Sequence, residues 1–308
     1  MELDFVKLHG AGNDFVFIDD FSGTLELTKE QIAWLCDRHF GIGADGVILV
    51  RRPNDPACAA YMHYINSDGT LAEMCGNGVR CFAKYLVDYA FVDPGDGALA
   101  AETLAGARPL TFSVDEDGKL VSATVDMGTP RLAPDEVPTT LAANAVSPYG
   151  EAFVLDASVD SPWGPFSFTC VSMGNPHAVC FLDDMRALPD ELFADPLAKS
   201  LDTLDLDRVG AFFENHPVFP EKANIEFAVV QSGGIAMRVY ERGCGETLAC
   251  GTGACATGVA ACLSGRSGCS NEVHLPGGVL TVSWGDDGHV SMRGPAAESF
   301  SGHVRLPL

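Results

Sequence analysis

Two stretches of the chain set a cysteine directly against a Gly-x-Gly turn. One is EMCGNGVRC at 73–81 and the other is LACGTGACA at 248–256. After Cys75 the apolar residues Val79, Phe82, Ala83, Leu86 and Val87 fall at the spacing of one helix face. After Cys250 the run GACATGVAACL is small and apolar throughout, which suits a helix buried on every side. Each cysteine therefore stands at a helix N-terminus, where unpaired N–H groups and the positive end of the dipole favour a thiolate. The glycines leave those N–H groups open to cradle a carboxylate. Two such sites facing each other would hold one small carboxylate between two sulfurs. A thiolate and a thiol so placed can take a proton from one face of a carbon and supply one to the other. The converging helix ends would stabilise the carbanion between those steps. One copy alone would read as a glycine-rich helix start with an incidental cysteine. The matched second copy decides for chemistry. Cys81 and Cys255, deeper in each helix, read as core residues.

The elements that must position these turns are themselves repeated. YINSDGTLAEMCGNG (64–78) parallels VYERGCGETLACGTG (239–253), and HGAGNDFVFID (9–19) parallels SMGNPHAVCFLDD (172–184). Each helix is followed by alternating apolar and polar residues across an Asp-Gly turn, Asp117-Gly118 and Asp287-Gly288, as in hairpins. A capping box, TKEQ at 28–31, opens a further helix. The Pro- and Thr-rich TPRLAPDEVPTT (129–140) is the natural linker between the copies. The expected fold class is α/β (α+β): two pseudo-symmetric domains, each of strands wrapped around one central helix that starts at Cys-Gly-x-Gly.

Composition narrows the partners. The 308 residues are 47% hydrophobic, enough for one large core or two ordinary ones. A formal charge of -23, with no local basic cluster, repels nucleic acid and anionic membrane. There is no run of 18 apolar residues and the start MELDFVKLHG shows no secretory pattern, so the expected location is cytoplasmic. Eleven cysteines, an odd number, argue against a disulfide framework in such a location, and no C-x2-C pair suggests structural zinc. Cys36, Cys58, Cys170, Cys180, Cys262 and Cys269 sit singly among apolar or small residues and read mostly as buried small hydrophobes. GIGADG at 41–46 matches a dinucleotide fingerprint, but a helix precedes it and a strand follows, so it reads as a loop. Glu241 and Arg242, side by side nine and eight residues ahead of Cys250, read alone as a solvated pair, although at least one of them could reach a site. His177, taken alone, reads as structural.

In order along the chain, HGAGNDF, RHFGIGADG, NSDG, MCGNGVRC, SMGNPH, ANIEF, VYERGCGETLACGTGACA and LPGG resemble diaminopimelate epimerase. The resemblance runs from residue 5 to the C-terminal SGHVRL. It implies interconversion of LL- and meso-diaminopimelate without pyridoxal phosphate, metal or other cofactor, on the route to lysine and peptidoglycan. It implies two similar domains, each a curved, mostly antiparallel sheet around a helix, with the site between them. The last strand would return to the first domain, giving 1–127 plus 300–308 and 128–299. Carried over by motif, Cys75 and Cys250 are the acid/base pair, supported by His177 and Glu241. Gly76, Asn77, Gly251 and Thr252 would hold the α-carboxylate at the reacting centre. Asn13, Asn66, Asn175, Asn224, Glu241 and Arg242 would hold the rest of the substrate, whose distal end is a zwitterion wanting a guanidinium, a carboxylate and amides. The family includes homodimers. Gly46 departs from relatives that carry a substrate-contacting Gln there.

Two alternatives remain beside this resemblance. Proline and hydroxyproline racemases share the paired-cysteine logic but usually have His where Asn77 stands, and their substrates lack a distal zwitterion. A non-enzymatic thiol-redox binding protein could instead pair Cys75 with Cys250 in a disulfide. The related phenazine-type isomerases lack both cysteines.

Overall fold

Strands form where β-branched and aromatic residues cluster between glycine turns, and they build two compact units in a computed structural model. The structure describes residues 1–72 and 74–307. Glu73, which opens the first cysteine stretch, and Leu308, the last residue assigned to the N-terminal domain, lie outside the described residues. One unit is Met1–Asp126 with Arg293–Leu308, the other Met127–Met292.

The first unit contains β1 (Glu2–Gly10), β2 (Asn13–Asp19), β3 (Gly46–Arg51), β4 (Ala60–Asn66), β5 (Ala98–Thr103), β6 (Gly106–Val114), β7 (Leu120–Asp126) and the last strand, β19 (Ala297–Arg305). Helix α1 (Lys29–Cys36) starts at the expected capping box, Thr28 with Gln31. Helix α2 (Gly76–Asp88) starts at Cys75. The sheet runs β19-β1-β2-β3-β4-β5-β6-β7, with β2–β3 and β4–β5 parallel and the other neighbours antiparallel.

The second unit contains β8 (Ala145–Val146), β9 (Ala152–Phe153), β10 (Ala157–Val159), β11 (Phe166–Ser172), β12 (Pro176–Phe181), β13 (Asn224–Gln231), β14 (Gly234–Glu241), β15 (Gly245–Thr247), β16 (Ser270–Leu275) and β17 (Gly278–Trp284). Its helices are α3 (Leu206–Glu214) and α4 (Gly251–Leu263), and the boundary back to the first unit falls inside β18 (Val290–Pro295). β11–β12 is antiparallel, β12–β13 parallel, β13–β14 antiparallel, β14–β16 parallel and β16–β17 antiparallel. That is the pairing sequence of β1 through β6. The duplication seen in the motifs is a duplication of topology.

Both motif helices are central to their own unit. α4 is buried almost from end to end, as its small apolar sequence predicts. α2 is buried all round as well, beyond its apolar stripe. Its polar side is accommodated by partners: Lys84 donates to the Leu120 carbonyl at 2.7 Å and pairs with Asp88 at 2.8 Å, while Arg80 is wholly buried.

Two expectations are corrected. The stretch at 129–140 is not a free linker. Leu132 and Val137 are buried, and Glu151 accepts the backbone N–H groups of Leu132 and Ala133 at 3.0 and 2.9 Å. Burial of these two apolar side chains stabilises the packed segment. Cys262 and Cys269 do not sit singly either. They are joined in a disulfide, because the turn after α4 folds back and brings their Cα atoms to 4.9 Å.

Candidate active site

In the first unit, the candidate residues are assembled around Cys75, the N-cap of α2. The Gly78 N–H donates to Cys75 Sγ at 3.4 Å, and the thiol reaches Asn13 Oδ1 at 3.5 Å. Asn77 Nδ2 donates to the same Asn13 oxygen at 3.3 Å. Asn13 opens β2 after a turn in which Ala11 and Gly12 both have positive φ, and its own Nδ2 donates to Asp45 Oδ2 at 2.5 Å. Behind Asn77, the buried Arg80 guanidinium donates to its Oδ1 at 2.9 Å and to the Gly76 carbonyl at 3.3 Å. Each amide is thereby fixed in orientation: Asn77 oxygen toward Arg80, Asn13 oxygen toward the sulfur. Asn13, Cys75, Gly76 and Asn77 are thus brought together. Asn66 ends β4 and is tied to its own turn, Nδ2 donating to Thr70 Oγ1 at 3.1 Å.

In the second unit, Cys250 caps α4 and is buried. Its Sγ lies 3.5 Å from Thr252 Oγ1. Burial, then the charges of Glu241 and Glu226, push the Cys250 thiol well above its ordinary range, against the pull of the Thr252 hydroxyl. His177, on β12, is fully buried. Its Nδ1 is 2.6 Å from Glu226 Oε1, and its Nε2 donates to Asn175 Oδ1 at 3.1 Å. The side chain read alone as structural is hydrogen-bonded to a buried carboxylate on one side and an amide on the other. Burial raises the Glu226 carboxyl above the usual range, opposed by His177.

Glu241 is the last residue of β14 and accepts from the Thr247 hydroxyl across the β14–β15 hairpin. Arg242 follows in the turn, exposed, with its backbone N–H held by Asn224 Oδ1 at 2.9 Å and its Nη1 on the Glu221 carbonyl at 3.2 Å. Asn224 spends its other amide group on the Pro176 carbonyl at 2.9 Å. Both ends of its side chain therefore serve the backbone, tying the strand that carries His177 to the turn that carries Arg242. Glu214, at the end of α3, braces the same turn by accepting the Gly243 N–H at 2.8 Å. Among the described residues no group of three His, Cys, Asp or Glu side chains is arranged to hold a metal ion.

Sequence reasoning missed Glu226, Arg80 and Glu214. Glu226 had a visible signal, a single acid inside the apolar strand NIEFAVV. Arg80 sits inside the quoted cysteine motif, among residues read only for their apolar spacing. Glu214 carried no local signal, since its partner is 29 residues away.

Solved structures share this fold. A hydroxyproline epimerase from Agrobacterium vitis superposes with a TM-score of 0.66, covering 98% of this chain and 91% of its own, at 16% identity. A phenazine biosynthesis protein of the PhzF family from Bacillus anthracis gives 0.66 over 99% and 100% of the two chains, at 14% identity. At such identities the likeness defines the fold class alone.

Sequence likeness goes further. The diaminopimelate epimerase family profile matches residues 5–133 and 169–298. The diaminopimelate epimerase of Desulfitobacterium hafniense is 45% identical over 304 residues, 97% of each chain. That of Synechococcus elongatus is 44% identical over 99% of each chain, and that of Methanococcus maripaludis 40% identical over 99% of this chain and 100% of its own. The chain belongs to the diaminopimelate epimerase family. No helix among the described residues is long and apolar enough to cross a membrane.

Proposed function

We propose that the chain is an epimerase that interconverts LL- and meso-diaminopimelate with Cys75 and Cys250 as its acid/base pair, without pyridoxal phosphate. One observation carries the reading: two copies of one scaffold each start their central helix at a Cys-Gly-x-Gly N-cap, in a chain of this family. One sulfur, as thiolate, takes the α-proton from one face of the carbon. The other, as thiol, delivers its proton to the opposite face, and the two exchange roles in the reverse direction. Between these events the charge spreads onto the α-carboxylate, where the first-turn N–H groups at Gly76-Asn77 and Gly251-Thr252 oppose it.

The remaining residues hold the rest of the substrate. Asn13, Asn66 and Asn175 offer amides, Arg242 a guanidinium for the distal carboxylate and Glu241 a carboxylate for an ammonium. Asn224 serves through the turn it ties down, and His177 supports Cys250 from below. A free cytoplasmic enzyme acting on a small molecule fits the acidic surface, which disfavours nucleic acid and anionic membrane.

The test is turnover by the purified chain with no added cofactor. It should convert LL-diaminopimelate to the meso isomer and leave L-proline and hydroxyproline unchanged. Turnover of proline in place of diaminopimelate would overturn the substrate assignment. Full activity in Cys75→Ala or Cys250→Ala would overturn the mechanism. A thiol-redox role would instead show net oxidation of thiols with each cycle.

A further inference from the structure

The two repeats provide an internal comparison. Strand register pairs Phe15 with Gly46 between β2 and β3, and His177 with Asn224 between β12 and β13. Carried two residues on, Ile48 of β3 corresponds to Glu226 of β13. Phe15 and Ile48 are both at 0% exposure, and so are His177 and Glu226. An ionisable pair thus occupies in one repeat the space that an apolar pair fills in the other. Such a pair is often no more stable than well-packed apolar side chains of similar volume, so stability alone does not account for it.

The pair lies under the first turn of α4. A Cβ at Gly253 would stand 2.7 Å from Glu226 Oε1 and 3.3 Å from Cys250 Sγ, so carboxylate and sulfur flank the same glycine. At the matching Gly78 the nearest group is the Met62 methyl at 3.0 Å, with Phe15 at 3.4 Å. Glu226 Oε2 is buried with no hydrogen-bond partner. His177 Nδ1 lies 2.6 Å from Glu226 Oε1, and that same carboxylate oxygen is the atom nearest Gly253 in the first turn of α4.

We propose that Glu226 is a positioning residue for the proton transfer: with His177 it holds Cys250 in the thiol form, so that Cys250 enters the reaction as proton donor and Cys75 as base. This rests on the epimerase reading above. The other groups around Cys250 are accounted for. β14 brings Glu241, which acts in the same direction as Glu226 and more strongly, Tyr240, whose ring packs on Gly210 of α3, and Arg238, which is clamped on Glu246 at 2.7 Å. α4 itself brings the Thr252 hydroxyl, which acts the other way, and Cys255; β11 brings only Cys170. On β16, Glu272 and His274 pair with each other at 3.6 Å, and β17 carries no ionisable side chain.

The experiment follows alkylation of Cys250 by iodoacetamide from about pH 6 to about pH 10 in the full chain carrying Cys75→Ser, read by peptide mass spectrometry. Cys250 is buried, so the midpoint of the profile is compared rather than the absolute rate. Glu226→Gln should move the midpoint down by about one pH unit, raising the rate below the midpoint roughly tenfold. Glu226→Asp, which keeps the charge, should stay near the parent profile. The double variant His177→Phe/Glu226→Ile copies the packing of the first repeat; it should fold, by thermal melting, and show the same downward move. Unmoved or upward midpoints in Glu226→Gln and in the double variant would overturn the inference. Alkylation is read without substrate, so failure of the epimerase reading would appear separately, as absent turnover of diaminopimelate.

Discussion

The backbone N–H of Gly243 donates to Glu214 Oε1 across 2.8 Å, which fastens helix α3 to the turn that presents Arg242. The end of α3 thus braces the Arg242 turn from 29 residues away in the chain. Glu214 is itself buried and also pairs with Lys222 at 3.4 Å. In Glu214→Ala the exposed Gly243 N–H loses its carboxylate acceptor, a loss of about 1.5–3 kcal/mol for a hydrogen bond to a charged group. The expected result is a KM for diaminopimelate raised by about tenfold or more, with kcat changed less. A fall in kcat at unchanged KM would assign Glu214 a different role.

Gly253 separates Glu226 from Cys250, and the crowding there sets a second expectation. Gly253→Ala should destabilise the chain by about 1–3 kcal/mol, since its methyl meets the carboxylate before the helix can shift. Adding Glu226→Ala should recover part of that loss, as residues in contact do in a double-mutant cycle. Gly268→Ala, where an added methyl meets nothing within 4 Å, is the control and should be close to neutral. Denaturant unfolding measures all three.

Asp14, next to Asn13 at the start of β2, ties the first unit to acid stability. Burial opposes its ionisation, but hydrogen bonds from Arg38 and Lys7 outweigh that and lower its carboxyl from 3.8 to about 2. A folded-state value below the unfolded one means that the stabilisation is fully present above about pH 4 and lost as pH falls through about 2. Unfolding free energy should therefore drop across that window. In Asp14→Asn the chain should be weaker at neutral pH but show a shallower drop over the same interval. Parallel slopes in the two proteins would remove Asp14 from the account.

Much of this was legible in the sequence because the chemistry is local and repeated. Cys75 and Cys250 announce their helices through the glycines that follow, and the two copies check each other. The strand pairing could be anticipated from the matched segments around Asn13 and Asn175. What stayed hidden depends on distance along the chain. Glu226 meets His177 across 49 residues, and Arg80 reaches the Pro295 carbonyl across 215. Periodicity places such residues on a face but does not say what stands opposite. Gly78 and Gly253 were read as openings for a substrate carboxylate, whereas the structure shows that Gly253 is also required by Glu226 and the sulfur. The segment at 129–140 misled for the opposite reason: its prolines signal a linker, while Leu132 and Val137 respond to a core that only the folded unit supplies.

Transfer by two separate sulfurs leaves an isotopic signature that transfer by one does not. LL-diaminopimelate is incubated with the enzyme in D2O, and substrate and product are recovered at low conversion. Two-sulfur transfer should give meso product carrying deuterium at one α-carbon while the remaining LL substrate keeps its hydrogen, because the proton removed by one thiolate is not the one supplied by the other thiol. Meso product that retains the original hydrogen, or deuterium entering recovered LL substrate as fast as product, would contradict it.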